Sequence, residues 1–117
     1  MRLSRDGKYL FASTRGSTKE TRGYIAAFEL DSDGKLADTT AVAYEETPTS
    51  CGIAGAIEPA FWKGSEGIAA QDYLLHVDEE AGYVRVLGWS GNLKRFQEIA
   101  STRLPDGATA SHAIWLS

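Results

Sequence analysis

The chain has few of the features that mark several common classes of protein. It contains one cysteine and three prolines among 117 residues. A single cysteine, Cys51, cannot form an internal disulfide, which excludes a disulfide-stapled secreted scaffold. No apolar run approaches the roughly 20 residues that span a bilayer, and the first six residues lack the apolar segment of a signal peptide. We therefore expect a cytoplasmic protein.

Excess positive charge and the usual ligand-binding motifs are also missing. The chain has 12 basic and 16 acidic residues, a net charge of −4, which disfavours nucleic acid and anionic membranes as partners. No phosphate-binding glycine motif occurs. The two histidines lack zinc-ligand spacing, and Asp78, Glu79 and Glu80 offer too few oxygen ligands for calcium. We expect no metal and no nucleotide cofactor.

The sequence does contain a recurring pattern of short strands. From Lys8 to Leu36 it predicts a strand at Tyr9–Ser13, a polar loop from Gly16 to Arg22, and a second strand at Tyr24–Leu30. A turn follows that ends at Gly34, where glycine allows a positive φ. No window keeps apolar residues at helical spacing, so a helical reading is excluded.

The flanking segments complete a first copy of this pattern. Asp6-Gly7 predicts a tight turn, which needs a strand before it, so the chain is expected to begin inside a sheet. Lys35–Glu46 is predicted as a further strand, ended by the proline-containing segment Thr47–Gly52. The small apolar residues of Ile53–Ile57 predict an inner strand.

A second copy follows. It has predicted strands at Ile68–Tyr73, Gly82–Trp89 and Phe96–Leu104, and Ser111–Leu116 predicts a final short strand. Tandem four-stranded meanders are typical of β-propeller blades. The predicted fold is all-β, a partial propeller with blades at residues 1–46 and 47–104 and a closing strand within 105–117. A small sandwich or barrel is the alternative.

Several segments together carry a family resemblance: ASTR at 12–15, GYIAAFEL at 23–30, TPTSCG at 47–52, GYVRVLGW at 82–89 and SHAIWL at 111–116. In order and spacing they resemble the C-terminal part of the fungal 3-carboxy-cis,cis-muconate lactonizing enzymes. That family belongs to the seven-bladed propeller lactonases, which include bacterial 6-phosphogluconolactonases. The family protein is several times longer, so the resemblance implies about two blades of a larger ring, completed by the missing blades or by self-association.

The resemblance also implies an activity. It is a cofactor-free cycloisomerase reaction, in which one carboxylate of a small carboxylated substrate adds across a conjugated double bond and a protein acid protonates carbon. The alternatives are hydrolysis of a 6-phosphogluconolactone-like substrate and a non-catalytic fragment that acts as an interaction module. Because two blades cannot enclose a reaction centre, the chain alone is expected to be inactive.

Four residues are candidates for the site. Arg15 lies in the A-S-x-R run that resembles the family and, with Glu20, is assigned a catalytic role; Arg22 and His112 are assigned to substrate binding. An arginine fork holds a carboxylate by two parallel hydrogen bonds. The competing interpretations are a solvated loop arginine, a Glu20–Arg22 surface ion pair, and a hydrogen-bonded structural histidine.

The remaining reactive or aromatic side chains are given structural interpretations. His76 is predicted to lie at a strand end or in a loop, and Cys51 to be a buried small residue rather than a nucleophile, since no histidine is near it in sequence. Trp62, Trp89 and Trp115 are predicted to pack blades rather than to form a stacking platform.

Overall fold

The computed structural model describes residues 1–18, 20–48, 56–63, 72–79 and 81–116. The described part is all-β and contains no helix, and therefore no helix long and apolar enough to cross a membrane. Its eight strands form two four-stranded antiparallel sheets, and in each sheet the strands lie in sequence order. This is the arrangement predicted for a partial propeller.

The first sheet contains β1 (Arg2–Leu3), β2 (Tyr9–Ser13), β3 (Tyr24–Glu29) and β4 (Ala43–Glu46). The tight turn predicted at Asp6-Gly7 connects β1 to β2, with Gly7 at a φ of 72°. The turn between β3 and β4 places Gly34 at a φ of 77°. Both glycines occupy the left-handed region, which other residues rarely adopt.

The second sheet contains β5 (Ala56–Pro59), β6 (Asp72–Asp78), β7 (Tyr83–Ser90) and β8 (Arg95–Arg103). Gly23 and Gly82 each stand directly before the third strand of their sheet, as the repeat predicted. A register shift between Val86 and Leu87 in the pairing with β8 interrupts the alternation of side chains along the last strand.

Two internal strand predictions differ from the structure, and a third lies partly outside the described residues. The strand predicted at Lys35–Glu46 is limited to Ala43–Glu46, because the Asp38 carboxylate accepts a hydrogen bond from the Thr40 N–H and stabilises a turn instead. The strand predicted at Ile68–Tyr73 is found at Asp72–Asp78, with residues 68–71 outside the described part. Of the inner strand predicted at Ile53–Ile57, residues 53–55 are likewise outside it.

The predicted closing strand is not a strand. Residues 111–116 run irregularly, and their described anchor is Trp115, whose Nε1 donates to the Glu58 carbonyl at 2.9 Å. The Trp115 ring also packs edge-on against Trp62, with 4.8 Å between ring centroids. The described contact of Ser111–Leu116 with β5 is therefore made by a side chain, and the segment forms no backbone ladder with that strand.

The two sheets pack face to face, and we name the two sides of each sheet. The front face of the second sheet carries Leu74, His76, Arg85, Leu87 and Trp89, and it packs on the back face of the first sheet, which carries Tyr9, Phe11, Ile25, Ala27 and Ala43. The outer strands β4 and β8 meet, as do the inner strands β1 and β5. This stacking in matching order is that of neighbouring propeller blades.

The core between the sheets is mainly aromatic and aliphatic. Trp89 is fully buried, and its ring lies 5.1 Å from Tyr9, 5.7 Å from Phe11 and 4.8 Å from Phe96, all in edge or tilted arrangements. Such geometries are favourable for aromatic pairs. The prediction that tryptophans pack blades is confirmed for Trp89, whereas Trp62 is 37% exposed.

Candidate functional site

The loop that carries Arg15 lies at one end of both sheets. Ser13 pairs with Ile25 and Tyr24 with Glu46, so residues 14–23, here named the Arg15 loop, and the segment after β4 leave the first sheet at the same end. In the second sheet Asp78 pairs with Tyr83, and the β6–β7 turn leaves at the corresponding end. We name this the loop end of the molecule.

The base of the Arg15 loop is held by four hydrogen bonds. The Thr14 N–H donates to the Tyr24 carbonyl at 2.8 Å, and the Tyr24 N–H donates to Thr14 Oγ1 at 3.2 Å. The Gly23 N–H donates to Thr47 Oγ1 at 3.0 Å, and the Thr47 N–H donates to the Gly23 carbonyl at 2.9 Å. The loop therefore projects from a fixed point on the sheet.

Gly23 allows the two sides of this base to approach each other. A Cβ built on Gly23 would lie 2.0 Å from the Thr14 carbonyl oxygen. We expect Gly23→Ala to lower the free energy of unfolding by about 2–3 kcal/mol through overpacking. Urea denaturation measures the loss. Gly34→Ala, whose Cβ meets no atom within 4 Å, is the control and should cost about 1 kcal/mol from its positive φ alone. Equal losses in the two variants would contradict a steric role for Gly23.

Arg15 and Glu20 are both exposed on this loop. Arg15 forms no hydrogen bond or ion pair with another residue of the described part, so its guanidinium faces solvent with its donors available. The Glu20 N–H donates to Thr18 Oγ1 at 3.3 Å, and Thr18 Oγ1 also hydrogen-bonds Thr21 Oγ1 at 2.9 Å. These hydroxyl contacts order the tip of the loop near Glu20.

Arg22 and His112 have different surroundings. The Arg22 Nη1 lies 3.4 Å from Glu46 Oε2 in an exposed ion pair, so the predicted Glu20–Arg22 pair is replaced by one that joins the loop to β4. His112 is exposed on the irregular C-terminal segment, and no contact joins it to the Arg15 loop within the described ranges. The structure thus groups Arg15, Glu20 and Arg22 on one loop and leaves His112 on another segment.

Sequence reasoning missed a cluster of charged side chains around a buried arginine, which lies beside the loop end. Arg85 lies on the front face of β7 with its side chain only 5% exposed, and it forms ion pairs with Glu45 of the first sheet at 2.9 Å and with Glu98 of its own sheet at 2.7 Å. Its Nη1 also donates to the Glu46 carbonyl at 3.5 Å. The hydrogen bond from Arg85 is the main cause that lowers the pKa of Glu98. Arg85 therefore joins the two sheets next to Glu46, the ion-pair partner of Arg22.

His76 is the second residue of this cluster, and its predicted position at a strand end or in a loop is wrong. It lies within β6, opposite Arg85, and is 1% exposed. Burial, assisted by the neighbouring Arg85 charge and opposed by Asp78, lowers the pKa of His76 to about 4. The signal that sequence reasoning overlooked was the run DYLLHVD, in which His76 takes the same face as Asp72 and Leu74.

The pKa of His76 predicts a pH dependence of stability. An unfolded histidine titrates near 6.5, so this group contributes its full stability above pH 6.5 and loses it as the pH falls toward 4. The loss should approach about 3 kcal/mol, since each unit of pKa is worth about 1.4 kcal/mol. Urea midpoints measured from pH 7 to 4 test this.

His76→Gln provides the comparison for this measurement. It removes the titrating group while keeping a polar side chain, and the other acids, including Asp72, stay unchanged in both proteins. We expect the variant to lose less stability than the parent over this pH range. Parallel pH profiles of the two proteins would contradict the assignment.

A separate buried acid lies at the opposite end of the sheets. Asp72, at the start of β6, has a side chain 5% exposed with Oδ1 3.5 Å from Arg5 Nε, and this oxygen accepts no hydrogen bond from the described residues. Burial and the nearby Asp6 carboxylate raise the pKa of Asp72. Asp72 begins β6, whereas Asp78 at the other end of that strand lies at the loop end, so Asp72 is a strand length away from the Arg15 loop.

No group of three or more histidine, cysteine or carboxylate residues suited to a metal ion occurs in the part of the chain that the structure describes. Cys51 lies outside the described residues, so the interpretation of that residue as a buried small side chain is not tested. The charged side chains described on the Arg15 loop are those of Arg15, Glu20 and Arg22, with Arg22 paired to Glu46.

Comparison with known proteins identifies two fungal relatives. The chain is 29% identical over 113 residues to the carboxy-cis,cis-muconate cyclase of Neurospora crassa, an alignment that covers 97% of the chain and 28% of the relative. It is 31% identical over 104 residues to the muconate cycloisomerase 1 of Cutaneotrichosporon cutaneum, covering 89% of the chain and 27% of the relative. No protein-family model matches.

The alignments confirm the resemblance predicted from the sequence. The chain spans just over a quarter of the length of each relative, which agrees with two blades of a larger ring. The chain is thus similar, over nearly its whole length, to a part of the fungal muconate-cyclizing enzymes.

Proposed function

We propose that this chain supplies part of an enzyme that lactonizes 3-carboxy-cis,cis-muconate, with Arg15 as a carboxylate-binding residue at the loop end. The observation that carries the proposal is that two relatives, each aligned over most of the chain, both have names that specify muconate as the molecule that is cyclized. The chain alone is expected to be inactive.

The chemistry of the substrate explains the choice of Arg15. A tricarboxylate requires cationic groups, and an arginine fork binds a carboxylate bidentately through charge-assisted hydrogen bonds. Arg15 is exposed and unpaired among the described residues, whereas Arg22 already pairs with Glu46. Arg15 is therefore the stronger candidate of the two, and Arg22 is assigned a supporting role through the charge that it adds beside the loop.

The proposed reaction is an isomerization of the tricarboxylic acid, and the one proton that carbon gains from the protein is returned to the protein donor by solvent. A carboxylate oxygen of the substrate forms a C–O bond to one carbon of the conjugated diene, and the electron pair displaced along the diene takes up a proton at carbon. Glu20 is the proposed proton donor because its carboxyl group lies on the same loop as Arg15. His112 is proposed to contact the substrate in the complete ring. This contact requires the C-terminal segment to lie close to the loop end there.

The test uses a chimera, because the isolated chain is expected to lack the rest of the site. This chain replaces the matched 28% of the Neurospora crassa cyclase, and turnover is followed as the loss of the ultraviolet absorbance of the substrate's conjugated diene. We expect the chimera to turn over 3-carboxy-cis,cis-muconate and Arg15→Ala to lower kcat/KM by about 100-fold, the loss of roughly 3 kcal/mol of charge-assisted hydrogen bonding.

Arg95→Ala is the matched control, since Arg95 is also exposed but begins β8 at the opposite end of the sheet. It should leave kcat/KM within about twofold, as expected of a surface substitution. A folded chimera that does not act on the muconate would contradict the proposal. A folded chimera that instead hydrolyses 6-phosphogluconolactone would favour the lactone hydrolase.

A further inference from the structure

A cavity at the loop end lies between the β6–β7 turn and the segment that follows β8. Its volume is about 100 Å³, several times the space that one water molecule needs. It is lined by Ala81, Arg103 and residues 104–109, and most of these residues are exposed, so a small solute can reach it from solvent. The reaction proposed above uses none of its side chains.

Backbone hydrogen bonds hold the walls of this cavity in place. The Leu104 N–H donates to the Gly82 carbonyl at 2.8 Å, and the Ala108 N–H donates to the Pro105 carbonyl at 2.9 Å. A Cβ built on Gly82 would lie 3.1 Å from the Ala108 carbonyl oxygen, so the turn and the segment are in close contact there. The cavity is thus formed before any ligand binds, as is usual for small-molecule sites.

Arg103 is the one cationic residue among those that line the cavity. It lies directly opposite Tyr83 in the pairing of β7 with β8, and its guanidinium carbon is 5.8 Å from the centroid of the Tyr83 ring. The guanidinium forms no hydrogen bond or ion pair with another residue of the described ranges, so its N–H donors are available. A guanidinium stacked on an aromatic ring can still bind a carboxylate or phosphate through two parallel hydrogen bonds.

The turn after β8 adds backbone donors to the same cavity. Within the described chain, the N–H groups of Asp106, Gly107 and Thr109 donate to no other residue. Successive backbone N–H groups in a turn attract anions. The Asp106 carboxylate is the one acidic group among the lining residues, and it opposes an anion by like-charge repulsion. Its removal should therefore strengthen the binding of an anion.

We propose that this cavity binds the carboxylate or phosphate group of a small molecule, held by the Arg103 guanidinium and by the N–H groups of Asp106 and Gly107. The cation and the backbone donors provide charge-assisted hydrogen bonds, which are stronger than neutral ones. The site shares no residue with the reaction assigned to the Arg15 loop, so its outcome is independent of muconate turnover.

The test follows the backbone amides and the arginine Nε–H groups of the isolated chain by NMR. Sodium acetate or sodium phosphate replaces sodium chloride at constant ionic strength. We expect saturable shifts at the Gly107 amide and at Arg103 Nε–H. Saturation with acetate alone identifies a carboxylate site, saturation with phosphate alone identifies a phosphate site, and saturation with both identifies a site for either group. Shifts that saturate with neither anion would overturn the proposal.

Three variants locate the binding. Arg103→Ala should weaken it at least about tenfold, through the loss of hydrogen bonds to a charged group, and Asp106→Asn should tighten it about threefold. Arg95→Ala is the matched control, because Arg95 is also exposed but begins β8 at the other end of that strand. It should leave the affinity within about twofold. Circular dichroism confirms that each variant is folded. Equal losses in the two arginine variants, or no loss in Arg103→Ala, would contradict the assignment.

Discussion

Replacing Arg85 with alanine should lower the free energy of unfolding by about 3–5 kcal/mol, because two hydrogen bonds to charged carboxylates are lost, each worth about 1.5–3 kcal/mol. Arg85 contacts two carboxylates and a carbonyl, from Glu45, Glu98 and Glu46, and its side chain is only 5% exposed. The substitution removes a cross-sheet contact and leaves Glu45 and Glu98 without their shared cation. Urea denaturation at pH 7 measures the effect.

Arg22→Ala is the matched control for this measurement. Arg22 pairs with Glu46 in the same region, but both side chains are more than half exposed. Exposed pairs are worth about 0–1 kcal/mol, so the control should change stability little. The difference between the variants isolates burial as the cause, and similar losses in both would contradict the central position of Arg85 between the sheets.

Trp89→Ala should reduce stability by about 3–5 kcal/mol, as expected for the truncation of a large core aromatic. Trp89 is fully buried and contacts rings from both sheets, those of Tyr9, Phe11 and Phe96. Its removal opens a cavity where the sheets meet. The loss is measured by urea denaturation followed by circular dichroism, because the substitution also alters the fluorescence signal.

Trp89→Phe separates the cavity from other effects. The indole Nε1 of Trp89 has no hydrogen-bond partner among the described residues, so phenylalanine removes no hydrogen bond there. Its cost should be about 1 kcal/mol, since most of the aromatic volume is kept. If the phenylalanine variant were as unstable as the alanine variant, the cavity argument would be wrong.

The strand pattern could be predicted where local signals agreed. Tyr9–Ser13 is found at its predicted bounds, and the turns at Gly7 and Gly34 both place glycine at positive φ. Alternation, β-branched and aromatic residues, and turn glycines all indicated the same structure at these places. Prediction failed at Asp38, where a side chain competes with the ladder, and at residues 111–116, which contact β5 through the Trp115 side chain and not through a backbone ladder.

The candidate site was predicted only in part. Glu20 and Arg22 were placed on a polar loop and Arg15 in the A-S-x-R run directly before it, and all three lie on one loop between β2 and β3. Their proposed roles rest on resemblance, and the structure adds their position and the Arg22–Glu46 pair. The cluster of Arg85, Glu45 and His76 was missed because its members are far apart in sequence.

The sequence by itself determined most of the strands, the tight turns and the repeat of the two sheets, because each depends on residues close together in the chain. Only the tertiary structure decided that Arg85 is buried in a cross-sheet ion-pair cluster with His76 opposite it. Burial and charge pairing depend on which faces meet, and two residues about forty positions apart, Arg85 and Glu45, come within 2.9 Å only when one sheet packs on the other.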